Sequence, residues 1–211
     1  MNALSARLSA FREAPAAHGV LLALFALFTA LVLAISDELA RGPIADRATE
    51  DLNASLVQVI PDGLHDNDLA SDRIEVMDGA APVTVYQATR DGKVTAAAFE
   101  RVGYGYGGAI KVLIGLDPEG AILGVRVLAH AETPGLGDKI ETAKDDWILG
   151  FDGRSLGDPA PEDWKVKRDG GVFDQFSGAT ITPRAVVAAV KGGLEFFAAH
   201  RDEILTPKEA S

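Results

Sequence analysis

The stretch that decides the fold is Val83-Thr-Val-Tyr-Gln-Ala-Thr-Arg-Asp-Gly-Lys-Val-Thr-Ala-Ala-Ala-Phe99. Two runs rich in strand-forming residues flank Asp91-Gly92, a dipeptide that suits a type I′ hairpin turn. A second pair of runs, residues 109–116 and 121–128, flanks the turn Asp117-Pro-Glu-Gly120. The sequence therefore predicts four antiparallel strands in two hairpins.

Helical patterns follow the strands. Val187, Val190, Leu194 and Phe197 recur at helical spacing, and Thr182-Pro183 before them is typical of a capped helix start. A further helix is predicted after Gly137, running through Trp147. Residues 164–176 contain the turn Asp169-Gly-Gly171, which predicts one more hairpin. The predicted fold class is α+β: antiparallel hairpins with packed helices, preceded by one N-terminal transmembrane helix.

The N-terminal part contains an uncharged apolar run, Gly19–Ile35. A membrane-spanning helix needs about 20 apolar residues and at least roughly 17, so Ala16, Ala17 and Ser36 would complete the span. A cleaved signal peptide is the alternative, because Ala34-Ile-Ser36 has the small-x-small pattern of a cleavage site. The run is longer than the usual signal core, which favours a retained anchor over residues 17–36.

Charges at the two ends of this run predict its orientation. Arg7 and Arg12 precede it, whereas Asp37 and Glu38 follow it. Positive residues stay on the cytoplasmic side, so residues 1–16 are predicted to be cytoplasmic and the rest of the chain exported.

The exported part divides into a connection and a folded domain. Residues 37–81 are polar, with a short amphipathic stripe at Ala48, Leu52, Leu56 and Val59 that stops at Pro61. Residues 64–81 are acidic and show no clear period. We interpret residues 37–81 as a stalk or linker with a short helix, and residues 82–211 as the folded domain.

Composition excludes several classes of function. The chain of 211 residues has a net charge of -11, of which residues 1–36 carry +1 and residues 37–211 carry -12. An acidic soluble part argues against nucleic-acid binding, which requires neutralised phosphates. The chain has no cysteine, so disulfides, thiolate metal sites and iron-sulfur clusters are excluded. His130 has no partner histidine at ligand spacing, which argues against a metal site.

Small residues lead into the last helix at Ser177-Gly-Ala-Thr180. Free amides and the helix dipole favour a phosphate at a helix N-terminus. The same residues could form only an ordinary turn and cap, and their spacing does not decide between the two interpretations.

Two further glycine-rich stretches invite a functional interpretation. Glu132-Thr-Pro-Gly135 could form a wall that lets a flat ligand approach the backbone, or only a turn. The stretch Gly103–Gly108 is not a phosphate loop, because no Lys-Ser/Thr pair and no helix follow it. A flexible lead-in to the next strand is the expectation there.

Four stretches together resemble a known family: Tyr106–Asp117, Glu132–Lys139, Asp169–Gln175 and Asp174–Thr180. They are similar to the FMN-binding domain of bacterial respiratory complexes, and in particular to the G-subunit family of the Rnf ion-translocating ferredoxin:NAD oxidoreductases. The C-type component of the sodium-pumping NADH:quinone reductase shares the Ser/Thr-Gly-Ala-Thr motif. The likeness covers residues from about 15 to about 200.

The resemblance implies a covalent FMN whose phosphate is esterified to the hydroxyl of Thr180. It implies that Ser177, Gly178 and Ala179 surround the phosphate and that Asp174 orients the turn. The isoalloxazine would lie along Glu132, Thr133, Gly135 and Leu136. Proximity to these motifs adds Trp147, Lys165 and Lys167 as weaker candidates, and no catalytic acid, base or metal ligand is expected.

The implied function is electron transfer within an ion-translocating oxidoreductase complex of the bacterial inner membrane, with the flavin domain in the periplasm. The expected partners are the other membrane subunits and a flavin transferase that attaches FMN. Two alternatives stay open: a membrane-anchored regulator with a similar flavin domain, and a non-redox binding module. A regulator would be expected to add transmembrane helices or cysteine clusters.

Overall fold

A computed structural model describes residues 15–208. Predictions for residues 1–14, including the two arginines before the apolar run, lie outside this part. The chain divides into two compact units between Thr49 and Glu50.

Helix α1 (Pro15–Val59) is 45 residues long. In the first unit it contains the apolar segment Ala17–Gly42, whose length and composition suit a membrane span. Large side chains of this segment, such as Leu22 and Phe25, are exposed, as expected for a surface that faces lipid. The helix continues past Ser36, where Asp37 and Arg41 form an ion pair at 2.6 Å. The predicted N-terminal apolar helix is confirmed.

The second unit is built on a five-stranded antiparallel sheet with strand order β1-β2-β3-β4-β5. The strands are β1 (Arg73–Asp78), β2 (Ala81–Arg90), β3 (Lys93–Tyr104), β4 (Ala109–Leu116) and β5 (Ile122–Ala129). The two predicted hairpins are β2-β3 and β4-β5. The predicted α+β class is confirmed.

Strand β1 is an addition to the four predicted strands. It lies in the acidic segment that shows no clear period, and it pairs only with β2. Val76 is its one buried side chain, whereas Arg73, Glu75 and Met77 are exposed. An edge strand with so few buried residues has too weak a hydrophobic alternation to be seen in the sequence.

The predicted hairpin at residues 164–176 is wrong. The segment instead contains short 3-10 helices at Pro161–Asp163 and Lys167–Asp169, and a single parallel bridge joins Val166 to Phe173. Gly170 has a left-handed φ of 85° and ends the second of these helices. The chain turns there without forming a ladder.

The predicted α-helix from Gly137 through Trp147 is also wrong. Two 3-10 helices, Asp138–Ile140 and Asp146–Phe151, take its place. Ile140, Ile148 and Phe151 are fully buried. Few apolar residues lie between them, so the segment lacks the continuous stripe that an α-helix needs.

Helix α2 (Ile181–Ile204) covers one face of the sheet. Val187, Val190, Leu194 and Phe197 are buried, which confirms the predicted stripe. They share a core with Phe99, whose ring meets Phe196 edge to face at 5.1 Å. Thr182 was predicted to cap this helix, but it lies inside the first turn, fully buried, and its hydroxyl donates to Glu132.

The last turns of helix α1, residues 50–59, and Ile60 pack against the opposite face of the sheet. Leu56, Val59 and Ile60 are fully buried there against the alanines of β2 and β3 and against Leu113. Gly115 and Gly124 are cross-strand partners beneath this helix end. A Cβ on Gly115 would lie 2.3 Å from the carbonyl oxygen of Val59. The sheet is thus a middle layer between helices, and α2 brings its N-terminus to one end of it.

Gln87, fully buried on β2, holds the end of helix α2. Its Nε2 donates to the carbonyls of Ile204 and Thr206, each at 2.8 Å, and its Oε1 accepts from the Lys208 amide at 3.2 Å. We expect Gln87→Leu to lower the free energy of unfolding by about 2 to 3 kcal/mol, because it leaves buried polar groups unpaired. Urea unfolding of the exported domain measures this.

Gln58→Leu is the control for this prediction. Gln58 is exposed and accepts a single hydrogen bond from Arg126, so its replacement should change stability by less than about 0.5 kcal/mol. Equal losses in the two variants would contradict the role of Gln87.

Candidate functional site

A cavity of about 430 Å³ lies where three segments meet: the β3-β4 turn, the loop after β5 and the N-terminus of α2. Its volume is within the range of cofactor pockets, roughly 300 to 1,000 Å³. Ten residues line it: Tyr106, Glu132, Thr133, Leu136, Gly137, Gly178, Ala179, Thr180, Ile181 and Thr182.

The Ser177–Thr180 turn forms one wall of the cavity. Gly178 has a left-handed φ of 83°, a conformation that glycine adopts without strain. The Ala179 amide donates to the Phe176 carbonyl at 3.2 Å. Thr180 is half-buried and directly precedes Ile181, the first residue of α2. The turn thus presents a hydroxyl group at the start of the helix.

The N-terminus of α2 keeps its amide donors available. No side chain caps it within the described residues, and the first-turn amides of any helix have no partner within the helix. These amides and the helix dipole favour an anion. Thr180 therefore stands beside a position suited to a phosphate.

Glu132 joins the other two walls. It is 6% exposed, and its Oε1 accepts a hydrogen bond from the Gly107 amide at 2.8 Å. Its Oε2 accepts a hydrogen bond from the hydroxyl of Thr182. The carboxylate thus connects the β3-β4 turn to the first turn of α2.

The backbone of Glu132 is held by a second acidic residue through His130. The Glu132 amide donates to Nδ1 of His130 at 3.1 Å. Because Nδ1 accepts, Nε2 carries the proton and donates to Oε1 of Glu141 at 2.9 Å. His130 therefore has a positioning role in this loop.

An ion pair fixes the segment before the turn to helix α2. Arg184, in the first turn of α2, donates to both carboxylate oxygens of Asp169 at 2.5 and 2.6 Å. The hydrogen bond from Arg184 lowers the pKa of Asp169 below its ordinary value. The pair is consequently ionised at neutral pH, and it ties the 3-10 helix Lys167–Asp169 to α2.

Six of the residues suggested by the sequence line the cavity: Glu132, Thr133, Leu136, Gly178, Ala179 and Thr180. Two more lie next to lining residues, Ser177 in the exposed turn and Gly135 in the loop after β5. The structure brings these two stretches together although they lie about 40 residues apart in the sequence.

The other suggested residues lie outside the cavity. Asp174 is exposed and forms an ion pair with Lys167 at 2.7 Å, and Lys165 is exposed nearby. Trp147 packs edge to face on Phe151 and Phe176, and its indole nitrogen donates to the Asp174 carbonyl at 2.8 Å. These contacts stabilise the segment that leads to the turn.

Four lining residues were not suggested by the sequence: Tyr106, Gly137, Ile181 and Thr182. The glycines were their available signal. A Cβ on Gly107 would lie 2.0 Å from the Ala131 carbonyl oxygen, and one on Gly105 would lie 2.3 Å from Oε1 of Glu132. The Gly103–Gly108 stretch therefore packs directly on the loop after β5, and this contact brings Tyr106 to the cavity.

Comparison with known proteins now identifies the class. Residues 105–195 match the FMN-binding domain family. This range includes all ten residues that line the cavity.

Relatives that match along most of the chain narrow the class to one family. The G subunit of the ion-translocating oxidoreductase complex from Cereibacter sphaeroides is 60% identical, covering 93% of this chain and 90% of the relative. Its counterpart from Pseudomonas aeruginosa is 43% identical, covering 96% and 98%. The chain belongs to the G-subunit family of ion-translocating oxidoreductase complexes, which confirms the resemblance seen in the sequence.

A solved structure, the C-type component of the Na(+)-translocating NADH-quinone reductase from Parabacteroides distasonis, superposes with a TM-score of 0.49 at 21% identity. The match covers 78% of this chain and 96% of that one.

Proposed function

We propose that this chain is the membrane-anchored electron-transfer subunit of an ion-translocating oxidoreductase complex, and that it carries FMN esterified through its phosphate to Thr180. The observation that carries the proposal is the position of Thr180 in the cavity wall, directly before the uncapped N-terminus of α2. The FMN-binding domain match over this region supports the same cofactor.

The residues present fit FMN. A phosphodiester keeps one negative charge, which the amides and dipole at the start of α2 would stabilise. Gly178 and Ala179 leave room beside it. Tyr106, Leu136 and Ile181 expose 77%, 44% and 47% of their surface, and they supply the apolar contact that a flat ring requires.

The division of work between protein and cofactor follows from this site. FMN supplies the redox chemistry when it is bound. The chain holds the phosphate, covers part of the ring and keeps it at a fixed place. A covalent link prevents loss of the cofactor from an exported domain, and its formation would require a flavin transferase as a partner.

The electron-transfer role is tested with the assembled complex. We expect membranes that contain the Thr180→Ala chain to hold the complex at normal abundance but to lose electron transfer to near background. Immunoblots of the other subunits and donor-to-acceptor rates measure the two quantities. A normal rate in the assembled variant complex would contradict the proposal and would favour a non-redox binding role.

The orientation of the anchor is a separate part of the proposal. We infer that helix α1 stays in the bacterial inner membrane, with the N-terminus in the cytoplasm and the flavin domain in the periplasm. The acidic residues Asp37 and Glu38 at the far end of the apolar run support this orientation.

A reporter fused after Ser211 tests this orientation. We expect alkaline phosphatase, which is active only outside the cytoplasm, to be active in the fusion and to sediment with membranes. Activity of a cytoplasmic reporter at the same position would reverse the topology. Active phosphatase in the soluble fraction would indicate a cleaved signal peptide.

A further inference from the structure

We propose that Glu132 is a built-in negative charge that lowers the reduction potential of the bound flavin. The inference rests on the proposed function, since it assumes that FMN occupies the cavity. Glu132 is the one charged side chain among the described residues that line this cavity.

The structure holds this carboxylate in place rather than leaving it to rotate. Each of its oxygens has its own donor, the Gly107 amide for Oε1 and the Thr182 hydroxyl for Oε2. Two donors and no donated proton are the pattern of an ionised carboxylate. The charge therefore has a fixed position in the cavity wall.

Glycines surround this carboxylate where larger residues would displace it. A Cβ on Gly105 would lie 2.3 Å from Oε1, and one on Gly137 would lie 2.8 Å from Oε2. Glu132 is thus enclosed by the β3-β4 turn on one side and by its own loop on the other. Burial of a charge is costly unless its hydrogen bonds are satisfied, and here they are.

The electrostatic consequence follows from the charge of the reduced cofactor. Adding electrons to the ring makes it more negative, and a nearby fixed anion disfavours that state. With 6% of its surface exposed, Glu132 is poorly screened by solvent. Its carboxylate should therefore keep the bound flavin harder to reduce.

The sign of the effect gives two complementary variants. Glu132→Gln removes the charge and keeps the size of the side chain, so it should ease reduction. Thr182→Val keeps the charge and the shape but removes a donor that offsets it, so it should make reduction harder. A role in folding alone would not move the potential in opposite directions.

The experiment is a redox titration of the full chain loaded with FMN, after in-gel fluorescence has shown that each variant carries the covalent flavin. In Glu132→Gln we expect the reduced-to-oxidised ratio at a fixed ambient potential to rise on the order of tenfold, about 59 mV for a one-electron couple. In Thr182→Val the ratio should fall.

Asp138→Asn is the matched control. Asp138 is equally buried and lies in the same loop, but it does not line the cavity, and Lys144 lies 3.9 Å away. Its replacement should change the ratio less than Glu132→Gln does.

An unchanged or lower ratio in loaded Glu132→Gln overturns the inference while leaving the covalent flavin intact. If Glu132→Gln does not load, Thr182→Val decides: a lower ratio supports the role of Glu132, and an equal or higher ratio overturns it. Failure of the wild type to load contradicts the proposed function instead.

Discussion

The Thr180→Ala chain should carry no covalent flavin. After expression with a flavin transferase in an exporting host, the wild-type band should fluoresce on a denaturing gel and the variant band should be dark. The side chain of Thr180 supplies the hydroxyl oxygen of the proposed ester, and alanine has no atom that could replace it. The loss should be complete rather than partial.

Thr133→Ala is the control for this result. Thr133 is a second threonine that lines the same cavity, exposed and in the loop after β5. Its variant should fluoresce as strongly as the wild type. Fluorescence that survives in Thr180→Ala, or disappears in Thr133→Ala, would move the attachment point away from Thr180.

Gly115→Ala should cause the largest loss of stability in the second unit. The new Cβ would lie 2.3 Å from the Val59 carbonyl oxygen and 2.9 Å from its carbon. Backbone atoms cannot move aside as a flexible side chain can. The end of helix α1 would therefore have to lift from the sheet, at a cost of about 3 kcal/mol for overpacking a core contact.

Gly150→Ala is the matched substitution for that test. A Cβ there would meet nothing within 4 Å, so stability should change by no more than about 0.5 kcal/mol. Thermal or urea unfolding of the two variants compares them directly. Equal stability of the Gly115 and Gly150 variants would show that the helix end does not need this close contact.

The strands and helices that the sequence predicts correctly have strong local signals. The Asp91-Gly92 turn between two alternating runs marks a hairpin because few other backbone conformations suit that dipeptide. The stripe of α2 is visible because one face of a long helix is buried. Both features depend on neighbouring residues only.

The elements that were missed or wrong depend on distant contacts. Strand β1 exists because β2 offers it an edge. Residues 164–176 follow an irregular path because Gly171 packs on the backbone of Lys165, where a Cβ would lie 2.0 Å from the carbonyl oxygen. A turn such as Asp169-Gly-Gly171 does not reveal which backbone it will contact.

The same distinction applies to the site. Glu132 and Thr180 lie in motifs that the family resemblance marks, and the structure places both in the cavity wall. Asp174, Trp147 and Lys167 were chosen for their closeness to those motifs in sequence, and their side chains contact one another's segments instead. Thr182 was interpreted as a cap, whereas its partner is 50 residues away.

The central claim is that FMN is esterified to Thr180, and mass spectrometry of the peptide that contains this residue tests it most directly. The account predicts that the peptide spanning Ser177–Thr180 from the wild-type chain is heavier by one FMN less one water, and that fragmentation places the added mass on Thr180. An unmodified peptide from protein that retains its flavin, or added mass on another residue, would contradict it.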